Sequence, residues 1–219
     1  MESGKEVFGF SVDGNCLGFD RNGTLVAISE NNRSLGIYEA ASGKLVRNLP
    51  RAAPAWRAHF SPDGRQIAAV SRMGVTLYDV NGEESPVNFP LGIVVVSEAQ
   101  FSADGKLLAI ASTGVSGAQV EAGTVKIWNV ATRREVHVLR DHVDRSTIVS
   151  YTPDGRRLAV ASSNEGIKLW DTATWQEAID LTGSAQYIAF DSRGHRMAVA
   201  GPDFGEIWDA TPLPRQPGR

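Results

Sequence analysis

Four histidines (His59, His137, His142 and His195), one cysteine (Cys16) and a row of aspartates are the side chains with which this chain could do nucleophilic, acid–base or metal chemistry. Their spacing argues against all three. No histidine pair falls in a ligand spacing such as H-E-x-x-H, and a single cysteine excludes an internal disulfide framework and a Cys-rich zinc site. Serine is frequent, but no G-x-S-x-G elbow presents one as a nucleophile. Phosphate cradling needs a glycine-rich loop running into a helix, and no segment reads as helical. Asp63, Asp104 and Asp154 each precede a glycine, where a short carboxylate serves the turn by bonding its backbone. The sequence therefore predicts no catalytic residue, no metal and no cofactor. His59, between Ala58 and Phe60 in a strand, reads as a surface or interface residue.

The elements that carry these residues repeat. The turns DRNG, SPDG, SADG, TPDG and DSRG end at Gly23, Gly64, Gly105, Gly155 and Gly194, spaced 41, 41, 50 and 39 apart. A second marker runs in phase: IYE, LYD, IWN, LWD and IWD begin at Ile37, Leu77, Ile127, Leu169 and Ile207. Both series share the single long interval, so one insertion accounts for it, in the loop Thr113 to Gly123. Each unit reads as an apolar strand, an Asp/Asn-Gly hairpin turn, a small apolar strand (LVAIS, QIAAVS, LLAIAS, RLAVAS, RMAVA), a third strand ending in the aromatic–acid pair, and a polar fourth strand. The second unit's fourth strand, Glu84 to Phe89, carries Pro86 and is followed by Pro90, which suits an outer edge. Four short antiparallel strands per unit make one propeller blade.

Composition agrees with a folded chain that has no charge-driven partner. Apolar residues are 42% of the 219 and charged residues 21%, a globular balance. The net charge of −3 gives no pull toward nucleic acid or an anionic membrane. The N-terminal MESGKEVFGF lacks a secretory pattern, and the longest apolar run, around Ile93 to Val96, is far too short to span a bilayer. These readings predict a soluble, cytoplasmic protein.

With S/T-P-D-G in the first hairpin and W-D closing the third strand, the pattern resembles WD40 repeats from Ser3 to Asp209. Tyrosine stands for tryptophan in the first two units, and the family's Gly-His is approximated only by Asp141-His142. The family's buried tetrad would use His142, Ser162 and Trp170 in the fourth unit, but Asn164 stands where its aspartate is expected. The resemblance implies an all-β propeller of five four-stranded blades over 1–210, with units near 3–38, 42–78, 84–128, 132–170 and 174–208. A proline-rich disordered tail, 211–219, follows. Ser3 to Phe10 aligns with Ser42 to Leu49, and as a fourth-type strand it would complete the last blade. The array is then either a closed five-bladed ring or the C-terminal part of a larger propeller, and an open array would leave blade faces free for self-association.

Function follows from the loops. Tyr38, Tyr78, Trp128, Trp170 and Trp208 hold one position per blade and read as core. The connections from second to third and from fourth to first strands gather on the top face. They bring together Asn32, Arg33, Arg51, Trp56, Arg72, Met73, Asp141, His142, Arg145, Asn164, Glu165 and Phe204, with the 113–123 insertion. Mixed charge with exposed aromatics suits a protein partner. Trp175, in the turn position that Gly43 holds in the first unit, offers a rival surface on the opposite face. The expectation is a non-catalytic protein-interaction scaffold. The alternatives are a lectin-like or small-ligand binder, disfavoured because the loops differ between units, and a propeller glycosidase. The last is disfavoured because the strands expected to line the channel, LVAIS and its equivalents, carry no acids.

Overall fold

The computed structural model describes residues 14–30, 35–49, 55–71, 74–92, 94–116, 119–139, 147–162, 166–181, 185–201 and 204–210, with the backbone course alone for 14, 114–116, 119–122 and 147. The described residues form strands, turns and bends and no helix. The first sheet is β1 (Gly14–Phe19), β2 (Leu25–Glu30), β3 (Leu35–Glu39) and β4 (Leu45–Leu49). The second is β5 (Ala55–Phe60), β6 (Gln66–Ser71), β7 (Gly74–Asp79) and β8 (Val87–Asn88). The third is β9 (Val94–Phe101), β10 (Leu107–Ser116), β11 (Gln119–Asn129) and β12 (Arg134–Leu139). The fourth is β13 (Thr147–Tyr151), β14 (Arg157–Ser162), β15 (Gly166–Asp171) and β16 (Glu177–Leu181). The fifth has β17 (Tyr187–Phe190), β18 (Arg196–Ala200) and β19 (Gly205–Asp209). Its expected fourth strand, Ser3 to Phe10, lies outside the described residues, as do the tail 211–219 and any closure of the ring. All pairings are antiparallel and sequential, so each sheet is a meander, the form of a WD40-type propeller blade.

Local chemistry explains the turns. In the second to fourth blades a Ser or Thr hydroxyl donates to the turn aspartate: Ser61 to Asp63 at 2.6 Å, Ser102 to Asp104 at 2.7 Å and Thr152 to Asp154 at 2.6 Å. The same hydroxyls accept the amides of Gln66, Leu107 and Arg157 at 2.9 to 3.0 Å. The glycine that follows each aspartate has φ near 70°, a left-handed conformation that costs a side chain energy. At the other turn of the blade, the acid after the aromatic caps the backbone. Asp171 Oδ1 accepts from Ala173 and Thr174, and Asn129 performs the same service for Thr132. Gly43 is left-handed there with φ 67°, and Arg133 (57°) and Trp175 (55°) adopt the same conformation without being glycine.

Cross-strand register gives every blade two unlike faces. On one lie Gly18–Ala27–Ile37, His59–Ala68–Leu77, Gln100–Ala109–Ile127, Ser150–Ala159–Leu169 and Ala189–Ala198–Ile207. On the other lie Phe19–Val26–Tyr38, Phe60–Ile67–Tyr78, Phe101–Leu108–Trp128, Tyr151–Leu158–Trp170 and Phe190–Met197–Trp208. The first, forward face centres on alanine; the second, receiving face is aromatic. Four interblade cores pair them: Ala27 and Ile37 with Phe60 and Tyr78, Ala68 and Leu77 with Phe101 and Trp128, Ala109 and Ile127 with Tyr151 and Trp170, and Ala159 and Leu169 with Phe190 and Trp208. The alanine leaves room for the ring that arrives from the next blade, which is why the small apolar strands repeat.

Two expectations change. The 113–123 insertion is not a loop. Thr113 pairs with Gly123, Val115 with Val120 and Ser116 with Gln119, so the insertion lengthens the β10–β11 hairpin. Its β-branched and small residues continue the ladder, and at ~3.4 Å per residue the added arms project the hairpin about 10 Å beyond its neighbours. The second correction concerns the channel. The edge strands that contact one another in succession are β1, β5, β9, β13 and β17, so the first strand of each unit is innermost and the LVAIS-type strands stand one layer out.

Candidate functional site

Because β5, β9 and β17 are innermost, their side chains meet around the axis. Glu98 on β9 is buried, and its carboxylate is held by Arg57 Nε at 3.3 Å and by His59 Nε2 at 2.8 Å, both from β5. The backbone amide of Ala99 donates to the same Glu98 oxygen at 3.1 Å. Arg57 also lies over the ring of Tyr187 on β17, 6.0 Å from its centroid, so one guanidinium links the second, third and fifth blades. One blade further on, Gln100 Oε1 accepts the amide of Tyr151 at 2.6 Å. The sequence reading missed this cluster by taking the wrong strand for the channel lining. The signal that could have found it is the charged pattern inside otherwise apolar first strands, AWRAHF and VVVSEAQF. The channel does carry an acid, but its oxygens are engaged by the Arg57 guanidinium, the His59 imidazole and an amide.

At the top end of β5 the register slips between Ala55 and Arg57, which leaves Trp56 as the extra residue of a β-bulge. A bulge re-aims a side chain, and Trp56 is 40% exposed. Val95, second residue of β9, and Tyr187, first residue of β17, are also exposed at this end of the innermost strands. Phe204 sits at the connection into β19, 37% exposed, with its ring laid over Gly201, where a Cβ would meet it. Of the expected top-face residues, Trp56 and Phe204 are thus described. Asn32, Arg33, Arg51, Arg72, Met73, Asp141, His142, Arg145, Asn164 and Glu165 lie outside the described residues.

The remaining predicted residues fall in turns and between blades. Asp63, Asp104 and Asp154 stand in the hairpin turns at the opposite end, each held below the ordinary carboxylate range by the hydroxyl of Ser61, Ser102 or Thr152 and by the amide two residues on. Tyr38, Tyr78, Trp128 and Trp170 are buried, and Trp208 is half-buried. Among the described residues the indole N–H groups of Trp128 and Trp170 find no hydrogen-bond partner. Trp175 stacks on His137 of the preceding blade, with ring centroids 5.4 Å apart and planes 15° apart. A cavity of about 420 Å3 opens between the fourth and fifth blades, walled by Leu169, Ile179, Leu181, Phe190, Met197 and Trp208. Among the described residues no three His, Cys, Asp or Glu side chains gather as a metal site would require.

Comparison with known proteins points in one direction. Residues 133–171 match the family described as WD domain, G-beta repeat. Over 169 residues the chain is 28% identical to the WD repeat-containing protein SL1-17 of Schistosoma mansoni, covering 74% of this chain and 53% of that protein. Over 198 residues it is 24% identical to THO complex subunit 3 of Arabidopsis thaliana, covering 89% of this chain and 60% of the relative. It is 32% identical to pre-mRNA-processing factor 19 of Oryza sativa subsp. japonica over 112 residues, 49% of this chain and 20% of that one. The chain thus spans between half and two thirds of the first two relatives.

Proposed function

The chain belongs to the WD40 repeat family, and we propose that it works as a non-catalytic scaffold that binds a protein partner on its top face. The observation that carries this reading is Trp56, a large aromatic turned out of the ladder by a bulge and left exposed at the top of an innermost strand. Aromatic side chains so placed are the usual anchors of protein interfaces. Val95, Tyr187 and Phe204 add apolar surface at the same end. The blades beneath are fixed by four interblade cores and by the Arg57–Glu98–His59 cluster, so Trp56, Val95 and Tyr187 stand on a fixed base and little ordering entropy of the blades is lost on binding. Relatives named as subunits of complexes, such as THO complex subunit 3 and eukaryotic translation initiation factor 3 subunit I, support protein partners for this chain as well.

The test compares partners recovered by chemical cross-linking from the cells that make the protein, using the full chain and the triple variant Arg33→Ala, Arg72→Ala, Trp56→Ala. The reading predicts that partners cross-linked to the wild type are lost from the variant while its thermal unfolding is unchanged. Retention of every partner would overturn the top-face assignment, and a Trp175→Ala variant run beside it reports on the opposite face.

A further inference from the structure

We propose that the end of the central channel opposite Trp56 binds a small apolar carboxylate of the N-acyl amino acid class, free or as the last residue of a peptide. A cavity of about 450 Å3 opens there, lined by the ends of the first strands of blades one to four and by the turns that follow them. Its volume lies in the range that small molecules fill. The cross-strand triads place one first-strand residue of each blade at this level: Gly18, His59, Gln100, Ser150 and Ala189. The other two members of every triad are alanine and an aliphatic residue, and these fill the interblade cores. Packing between blades therefore does not call for the long polar side chains of His59 and Gln100. Each is anchored at one end only, His59 by Nε2 on Glu98 and Gln100 by Oε1, which accepts the amide of Tyr151. Glu98 also accepts from Arg57 and the Ala99 amide, so the proton of the His59 contact sits on Nε2 and leaves Nδ1 as an acceptor. Gln100 keeps its two N–H donors, and neither open end has a partner among the described residues. Arg21 adds an exposed guanidinium with no ion-pair partner among the described residues, while the adjacent Asp20 spends its oxygens on Thr24 and Leu25. No Asp or Glu lines the cavity, and Leu17, Pro62 and Pro153 supply apolar wall. Two donor groups, one of them cationic, beside an acceptor and an apolar wall suit a ligand whose carboxylate accepts from Arg21 and Gln100 and whose amide N–H donates to His59.

An NMR titration of the nitrogen-15-labelled full chain with N-acetyl-phenylalanine tests it. The expected result is saturable binding with a Kd of about 1 mM or tighter, shifting the Gln100 side-chain amide and the His59 ring and leaving the Trp56 indole, at the other end, unmoved. N-acetyl-phenylalanine amide, which lacks the charge, binds at least about tenfold more weakly. The acid loses affinity by the same factor on Arg21→Ala, an exposed position where an unchanged thermal transition verifies the fold. Absence of saturable binding, equal binding of the amide, or undiminished binding by Arg21→Ala overturns the proposal. Acetyl-triglycyl-phenylalanine separates the two sources of the ligand: binding as tight as that of the free acid assigns the site to a chain end, and weaker binding assigns it to a free small molecule.

Discussion

The first and fifth blades are built to the same pattern, yet their outward faces are finished differently. On the first, Tyr38 bends over a glycine, anchors its hydroxyl on Glu30 and covers Val26 and Ile28. Burial and the Glu30 carboxylate push the Tyr38 hydroxyl up to about 12, so it stays a neutral donor across the ordinary pH range. On the fifth, Ala189, Ala198 and Ile207 meet nothing of comparable size among the described residues. One residue type in register is therefore core in four blades and surface in the last. Repeat position fixes which way a side chain points, and the neighbour alone decides whether it contributes to stability.

The sharpest way to break this comparison is to place a charge at the same repeat position in two blades. Ile127→Lys buries an ammonium where Ile127 is fully enclosed, and the chain will fail to fold, as read by loss of the cooperative thermal transition. Ile207→Lys at the equivalent site will leave the unfolding midpoint within about 0.5 kcal/mol of wild type. Tyr38→Ala removes the cover from Val26 and Ile28 and will destabilise by roughly 2–4 kcal/mol in urea unfolding, with the neighbouring Glu30 losing its tyrosine partner. Trp208→Ala, at the half-open side of the 420 Å3 cavity, will cost less than Trp170→Ala in the closed core, because water already reaches the site.

Much of this was legible in the chain. The two phased markers fix the strand order of every blade, the turn aspartates announce their own turns, and the aromatic series marks the receiving face. Trp175 aligned with Gly43, and the structure gives both the same left-handed backbone. What was not legible depends on tertiary placement. That the first strand is innermost follows from sheet packing, so the Arg57–Glu98–His59 cluster was invisible to a reading that put the second strand there. The Trp56 bulge is a register slip of one residue that leaves no mark in composition. The long hairpin was read as a loop because its glycines and serines resemble turn residues, whereas pairing across it absorbs them into a ladder.

Smaller effects refine the account at the turns. Because Asp63, Asp104 and Asp154 are held below their ordinary range, the stability they contribute is present above a carboxylate pKa of about 4 and is lost as pH falls through their lowered values. Asp104→Asn will cost roughly 0.5–1 kcal/mol at neutral pH, discounted for its exposure to solvent, and urea midpoints taken between neutral and acid pH will fall less steeply than in wild type. Arg133→Gly relieves a left-handed conformation at an exposed position and will stabilise by about 0.5–1 kcal/mol. Trp175→Gly relieves the same conformation but forfeits the stack on His137, so it will show no such gain.

The central claim is that one repeat position is closed by a neighbouring blade in the third blade and left open in the fifth, and thiol labelling reads it at the side chain itself. In a Cys16→Ser background, Cys substituted for Ile207 is labelled at dilute concentration by a soluble thiol reagent at close to the rate of a free peptide thiol. Cys substituted for Ile127 reacts only through unfolding, slower by at least about a thousandfold. Equal protection of both positions in the dilute monomer would contradict the account, because the fifth forward face would then be covered from within the chain.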